Sequence, residues 1–106
     1  MQILPYIIQQ TQLPSKSIEN TIILLNEDAT IPFISRYRKE MTGNLDEIQI
    51  GEIVKFKALF EALEKRKKAI LKVLEELQVL TSELEQKVLR TRDLISLEDL
   101  YLPFKK

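Results

Sequence analysis

Two basic clusters are the groups in this chain best suited to hold a ligand. Arg36, Arg38 and Lys39 crowd into the segment ATIPFISRYRKEMTGNL, and Lys65, Arg66, Lys67 and Lys68 run consecutively further on. Arginine and lysine neutralise phosphate and release its condensed counterions, so either cluster is a candidate contact for nucleic acid. Each also has a plainer employment. Arg36, Arg38 and Lys39 can pair with carboxylates of neighbouring helices or domains, and Arg36 stands four residues before Glu40, the spacing of a local ion pair. At about 100° per residue, Arg36 and Arg38 diverge around a helix and cannot face one ligand in the same way. The Lys65–Lys68 run wraps a helix instead of lining one face. Glu61–Lys65 and Glu64–Lys68 have the favourable order of a solvated surface, each pair contributing about 0.3 kcal/mol. The run also interrupts an apolar stripe, so on a protruding helix it could meet phosphate without disturbing a core.

Other chemistry is largely closed off. The chain has no cysteine and no histidine, which removes disulfides, thiolate nucleophiles, histidine triads and histidine zinc sites. Its two glycines, Gly43 and Gly51, are too few for a Walker or Rossmann phosphate loop. The adjacent carboxylates Asp46-Glu47 and Glu98-Asp99 could suggest metal or acid–base work, but both pairs fall at expected helix starts, where the helix dipole favours negative charge. Tyr6, Phe33, Tyr37, Phe56, Phe60, Tyr101 and Phe104 are spread at core-like positions and read as packing more than as base-stacking platforms. No enzymatic activity, cofactor or metal is expected.

The 106 residues suit one domain of ordinary size. Sixteen basic and sixteen acidic side chains cancel, whereas a freestanding nucleic-acid binder carries a positive excess. Strong independent binding is therefore not expected, though a local patch stays open. The start, MQILPYIIQQ, lacks the features of a signal peptide, and no stretch approaches the roughly 20 apolar residues of a membrane span. A soluble, cytoplasmic protein is the expectation.

The elements that must position these cations are helical throughout. A first helix is predicted over Ile3 to Thr11, ended by Leu13-Pro14. Ser15 is the expected N-cap of a second, which runs to Asn26 with Ile18, Ile22 and Leu25 on one face. Thr30 caps a third, with Pro32 in its first turn; Ile31, Phe33, Ile34 and Tyr37 form its apolar stripe, and it ends near Met41. Asn44 and Glu47 have capping-box spacing and open a long helix over about 44–78. Ile53, Phe56, Phe60 and Leu63 step along it, as do Ile70, Leu74 and Leu77. At about 1.5 Å per residue it reaches roughly 50 Å, against a radius of gyration near 13 Å for a domain of about this size. It must protrude, bend or meet a partner, with Gly51 as its weak point. Thr81 or Ser82 caps a helix ending near Arg92, and Ser96 with Asp99 starts a last short turn stopped by Pro103. The fold expected is all-α: five to six helices, one long and central, in a bundle-like module.

Several segments in order resemble the N-terminal region of the Tex family of bacterial transcription accessory proteins. They are LLNEDATIPFISRYRKEMTGNLDEIQI from Leu24, LEKRKKAIL from Leu63, LTSEL from Leu80 and LEDLYLPFKK from Leu97. The match covers about Ile18 to Lys106, and the PFISRYRKE–TG segment and LEDLYLPFK ending are its specific signals. The family pattern favours glycine at Asp28 and often at Asn44, helix-boundary positions where a left-handed residue is useful and Asp or Asn is tolerated. A glycine-containing loop between Leu77 and Leu80 is replaced by Gln78-Val79. The resemblance implies a longer protein, with a YqgF-like RNase-H fold, helix-hairpin-helix elements and an OB-fold RNA-binding domain outside residues 1–106.

On that resemblance, the chain is expected to be a non-catalytic module that supports RNA or DNA binding and interdomain scaffolding in transcription. Its expected partners are nucleic acid, the remaining domains and the transcription machinery, with self-association of the isolated chain through an exposed apolar stripe. The competing reading is a docking module that touches no nucleic acid. In either case Arg36, Arg38, Lys39, Lys65, Arg66, Lys67 and Lys68 are the candidate contact residues.

Overall fold

Pro14, Thr30 and Gly43 punctuate the first half of the chain, and helices form between them. The computed structural model describes residues 3–105; Met1, Gln2 and Lys106, which end the segments MQILPYIIQQ and LEDLYLPFKK, lie outside them. Among the described residues there are seven α-helices and no strand. They are α1 (Ile3–Thr11), α2 (Ser15–Asn26), α3 (Ile31–Tyr37), α4 (Lys39–Thr42), α5 (Glu47–Glu76), α6 (Ser82–Arg90) and α7 (Leu94–Tyr101), the last followed by a 3-10 turn over Leu102–Phe104. The all-α expectation holds. The extra helix arises because the third predicted helix does not run on to Met41. It breaks at Arg38, whose backbone opens to φ −129° and ψ 29°. The break turns α4 so that Thr42 is fully buried and the Asn20 side-chain amide donates to the Met41 carbonyl at 2.7 Å.

Several boundaries correct the sequence reading. Ser15 is the first residue of α2 and makes no cap bond; extended Pro14 precedes it, and its carbonyl accepts from the Ile18 N–H. Asn44 does not open the long helix. It sits in a left-handed turn at φ 69°, and the reciprocal cap is formed by Asp46 and Gln49. The Gln49 N–H donates to the Asp46 carboxylate at 2.8 Å, and the Asp46 N–H donates to the Gln49 side chain at 3.1 Å. Leu77 lies outside the helix and is exposed. For α6 the cap is Thr81, which accepts from the Leu84 N–H. Helix α7 starts earlier than Ser96: Asp93 accepts from the Ser96 N–H and hydroxyl at 2.7 and 3.0 Å. Pro103 marks the change from α to 3-10 winding instead of the end of the turn.

The chain divides into two compact units, one up to Phe60 and one from Glu61. In the first, Ile7, Ile18, Ile34, Ile50 and Ile53 are wholly buried, each contributing about 2 kcal/mol of transfer free energy. Tyr6 packs against Phe60 with ring centroids 5.4 Å apart. In the second, Leu63, Ile70, Leu74, Val88 and Leu97 form the core.

Left-handed residues end several helices, Asp28 and Asn44 at the positions marked by the family resemblance and Gln78 at one that was not. Asp28 (φ 65°) and Gln78 (φ 60°) follow α2 and α5. In each case the next residue's N–H reaches back to a carbonyl in the last turn, Ala29 to Leu24 and Val79 to Leu74, both at 3.1 Å. These are Schellman closures, with Asp and Gln where glycine is the usual choice. Gly43 (φ 71°) is more constrained, because a Cβ there would lie 3.0 Å from the Ser17 hydroxyl on α2. Gly51 lies inside α5, which continues through it without interruption, and a Cβ at that position would meet nothing within 4 Å.

The same substitution should therefore act with opposite signs at the two glycines. Gly43→Ala is expected to lower stability by about 1–2 kcal/mol through left-handed strain and crowding. Gly51→Ala is expected to raise it by about 1 kcal/mol through helix propensity. Urea unfolding of both variants checks this; a stabilised Gly43→Ala protein would contradict the corner geometry.

Candidate functional site

Arg36, Arg38 and Lys39 of the first unit lie on or beside two short helices with little core to fill. Helix α3 buries Ile34 and Ser35 and half-buries Ile31. Phe33 and Tyr37, read from the sequence as part of its apolar stripe, are instead 40% and 62% exposed. The helix is short, and one buried isoleucine with the small Ser35 is enough to seat it. The two rings lean on each other with centroids 5.4 Å apart. Arg38, at the break, holds its guanidinium 5.0 Å from the centre of the Phe33 ring and donates to the Tyr37 carbonyl at 3.0 Å.

The break also divides the basic cluster. Arg36 and Lys39 are exposed and line one open recess of about 470 Å³, together with Asn44, Asp46 and Glu47. Arg38 lines another, of about 350 Å³, with Phe33, Glu27 and Asp28. Arg36 and Glu40 now belong to different helices, so the continuous register on which their local pairing depended is gone.

The cations of the second unit have different fates. Lys65 and Lys68 are exposed. Arg66 forms a two-pronged ion pair with Glu98 of α7, at 2.6 and 3.2 Å. Its guanidinium lies 5.6 Å from the centre of the Tyr101 ring, with Lys105 at 5.9 Å from the same ring. Lys67 is only 5% exposed. Its ammonium donates to the Leu89 carbonyl at 2.8 Å and approaches Glu64 at 3.4 Å. Leu89 lies in the last turn of α6, where carbonyls lack helical partners and positive charge is favoured. Lys67 thus closes the end of α6, and Glu64 serves Lys67 as its carboxylate neighbour. The Glu98-Asp99 pair is not at a helix start; it lies within α7, where Glu98 holds Arg66.

Hydrogen bonding from Arg66, reinforced by its charge and that of Lys105, holds the Glu98 carboxyl below the ordinary glutamate range. The Asp93 carboxyl is held low by the Ser96 amide and hydroxyl. The sequence contained a signal for the burial of Lys67. Leu63, Lys67, Ile70 and Leu74 step by four, three and four, so Lys67 occupies a core position of the apolar stripe instead of interrupting it. The exposure of Phe33 and Tyr37 had no comparable signal.

The family model of the Tex-like protein N-terminal domain matches residues 1–75. The chain is 38% identical over 105 residues to the transcriptional accessory protein Tex of Neisseria gonorrhoeae, covering 99% of this chain and 14% of that protein. It is 40% identical over 96 residues to protein YhgF of Escherichia coli, covering 91% and 12%. It is 30% identical over 97 residues to S1 RNA-binding domain-containing protein 1 of Pongo abelii, covering 92% and 10%. The chain thus spans 10–14% of the length of these curated relatives. The similarity read from Ile18 onward extends to the first residues, since the family match begins at residue 1.

Lys67→Met keeps the buried stem and removes the donor to Leu89. It is expected to cost about 1–2 kcal/mol, whereas Lys65→Gln and Lys68→Gln should each stay within about 0.5 kcal/mol of the parent. Equal losses at all three positions in denaturant unfolding would refute the structural role of Lys67. A second outcome concerns acid. A carboxyl whose folded pKa is depressed contributes stability that is present above its unfolded pKa and lost as pH falls through the folded value. Glu98, lowered from an ordinary value of 4.5, contributes in this sense. Glu98→Gln should therefore lose stability at neutral pH and show a shallower decline below pH 4.5; an unchanged acid profile would dismiss the Arg66 pairing.

Proposed function

The chain belongs to the Tex family, and on that premise we propose that it is the non-catalytic N-terminal helical module of a transcription accessory protein. In this reading it supports RNA or DNA binding while arranging the domains joined to it. The observation that carries the reading is the division of labour among its cations. Arg66 and Lys67 are engaged in holding the second unit together. Arg36, Lys39, Lys65 and Lys68 are exposed, on a chain whose charges cancel overall. Such a surface offers a few phosphate contacts and no broad positive field, which fits an auxiliary contributor better than a freestanding binder. The names of two relatives support it: one is a transcriptional accessory protein and another carries an S1 RNA-binding domain.

A specific observation favours docking as a parallel role. In the second unit Leu94, Ile95 and Leu102 are 40%, 77% and 63% exposed. Apolar side chains displayed this way suit a protein surface, either a further domain of the parent protein or part of the transcription machinery. No described helix is long and apolar enough to cross a membrane, so a lipid-spanning role does not compete for them.

A salt titration tests the proposal. Single-stranded RNA should bind the chain weakly at low salt, with affinity falling steeply as salt rises. No binding at the lowest salt would eliminate direct contact and leave docking alone.

A further inference from the structure

We infer that the solvent face of α5 in the first unit pairs antiparallel, about a two-fold axis, with the same face of a second copy of the chain. Ile48, Glu52, Lys55 and Leu59 follow one another at steps of four, three and four, the spacing of a coiled-coil seam. All four are exposed, Ile48 at 76% and Leu59 at 40%. Ile50 and Ile53, on the opposite side of the helix, are wholly buried. The seam is therefore turned away from the unit's own core, with an apolar residue at each end and one charge of each sign between them.

The symmetry of that order selects a second copy as the occupant. Laid antiparallel on itself about a midpoint between Ile53 and Val54, the seam sets Ile48 opposite the partner's Leu59 and Glu52 opposite the partner's Lys55. The two-fold axis repeats both pairs. A parallel arrangement would set like charges against each other at both central positions and is disfavoured. Among the described residues no ion pair or side-chain hydrogen bond engages Glu52. Lys55 leans over the neighbouring Phe56 ring at 5.3 Å, a contact that leaves its charge without a counterion. The borders of the seam are uncharged, with Gln49 and Phe56 on one side and Gly51 and Ala58 on the other. At Gly51 an added Cβ would meet nothing within 4 Å, so that border is open to a close approach. The exposed face of α7 lacks this self-complementarity. Asp99 lies between Ile95 and Leu102, and an antiparallel copy would bring it beside the partner's Asp99. From Ile48 to Leu59 the α5 seam runs for about 17 Å, short for the roughly 1,600 Å² of a standard stable interface. The dimer is accordingly transient and concentration-dependent.

Sedimentation velocity over a concentration series at low salt tests the assignment. The parent should dimerise at the upper concentrations. Glu52→Lys and Lys55→Glu each place like charges at both central pairs and should each weaken association by about tenfold. Mixing these two variants restores opposite charges across the seam, so the mixture should recover the parent affinity within about twofold. Ile48→Ser should weaken association, and Ile95→Ser should leave it unchanged. All these positions are exposed, so the variants should keep the parent circular dichroism spectrum. The chain has no cysteine, so Ile48→Cys mixed with Leu59→Cys should form the mixed disulfide in preference to either symmetric one. A parent that stays monomeric throughout overturns the inference. So do charge reversals that associate as the parent does, or a mixture that fails to recover. Loss of association in Ile95→Ser alone would give the contact to α7 and overturn it equally. The nucleic-acid reading stands or falls separately, on the salt titration above.

Discussion

A chain whose described elements are all helices has to change direction at its corners, and here most of the corners depend on backbone held at positive φ. Gln12, Asp28, Gly43, Asn44 and Gln78 all adopt it, and only one of them is the residue for which it carries no steric penalty. Two of these corners enclose the segment on which the functional reading turns. Asp28 ends α2, Gly43 and Asn44 end α4, and between them the chain must place α4 against α2 and α3 against α4. The approach at Gly43 is so close that Ser17 would touch a side chain there. Within that enclosure α3 is left with little burial to achieve. Ile34 seats it, and Phe33, Tyr37 and Arg36 are turned outward by the helical period. The display of aromatics and cations follows from the corners.

The second unit obeys a different constraint. Lys67 occupies a core position on α5, and a buried ammonium without partners would be costly. The structure answers by ending α6 where the Leu89 carbonyl can accept from it. Helix α7 is held similarly through Arg66 and Glu98, with Tyr101 covering the guanidinium. Two members of a run of four basic residues thus fix the positions of two following helices. Runs of like charge are commonly taken as binding surfaces, yet a helix distributes consecutive residues over its whole circumference. Some of them necessarily face whatever packs against it.

This explains which features were legible in the sequence. The helices themselves were readable because apolar spacing, Pro14 and Thr30 are local signals, and Asp28 and Asn44 stood out as left-handed corners against the family's glycines. The start of α5 was misplaced because Asn44 and Asp46 are both good capping residues. Only the turn geometry decides that Asn44 ends one helix and Asp46 begins the next. The break at Arg38 was illegible because neither glycine nor proline marks it; it arises from the packing of Thr42 and the Met41 carbonyl against α2. The exposure of Phe33 and Tyr37 follows from that break and from the shortness of α3. Lys67 was readable in principle, since its register is apolar on both sides and only its chemistry disguised it.

Balanced charge bears on how the proposed nucleic-acid contact works. A few exposed cations set among carboxylates give weak contact with phosphate. A weak site gains influence when it is tethered to others, because the second contact then forms at the high effective concentration set by the connection. The chain spans only 10–14% of its curated relatives, so under the proposed reading it acts inside a much larger protein. A strongly positive module in that setting would hold nucleic acid by itself and compete with the domains it serves. A neutral one can add to their hold on a strand and release it when they do.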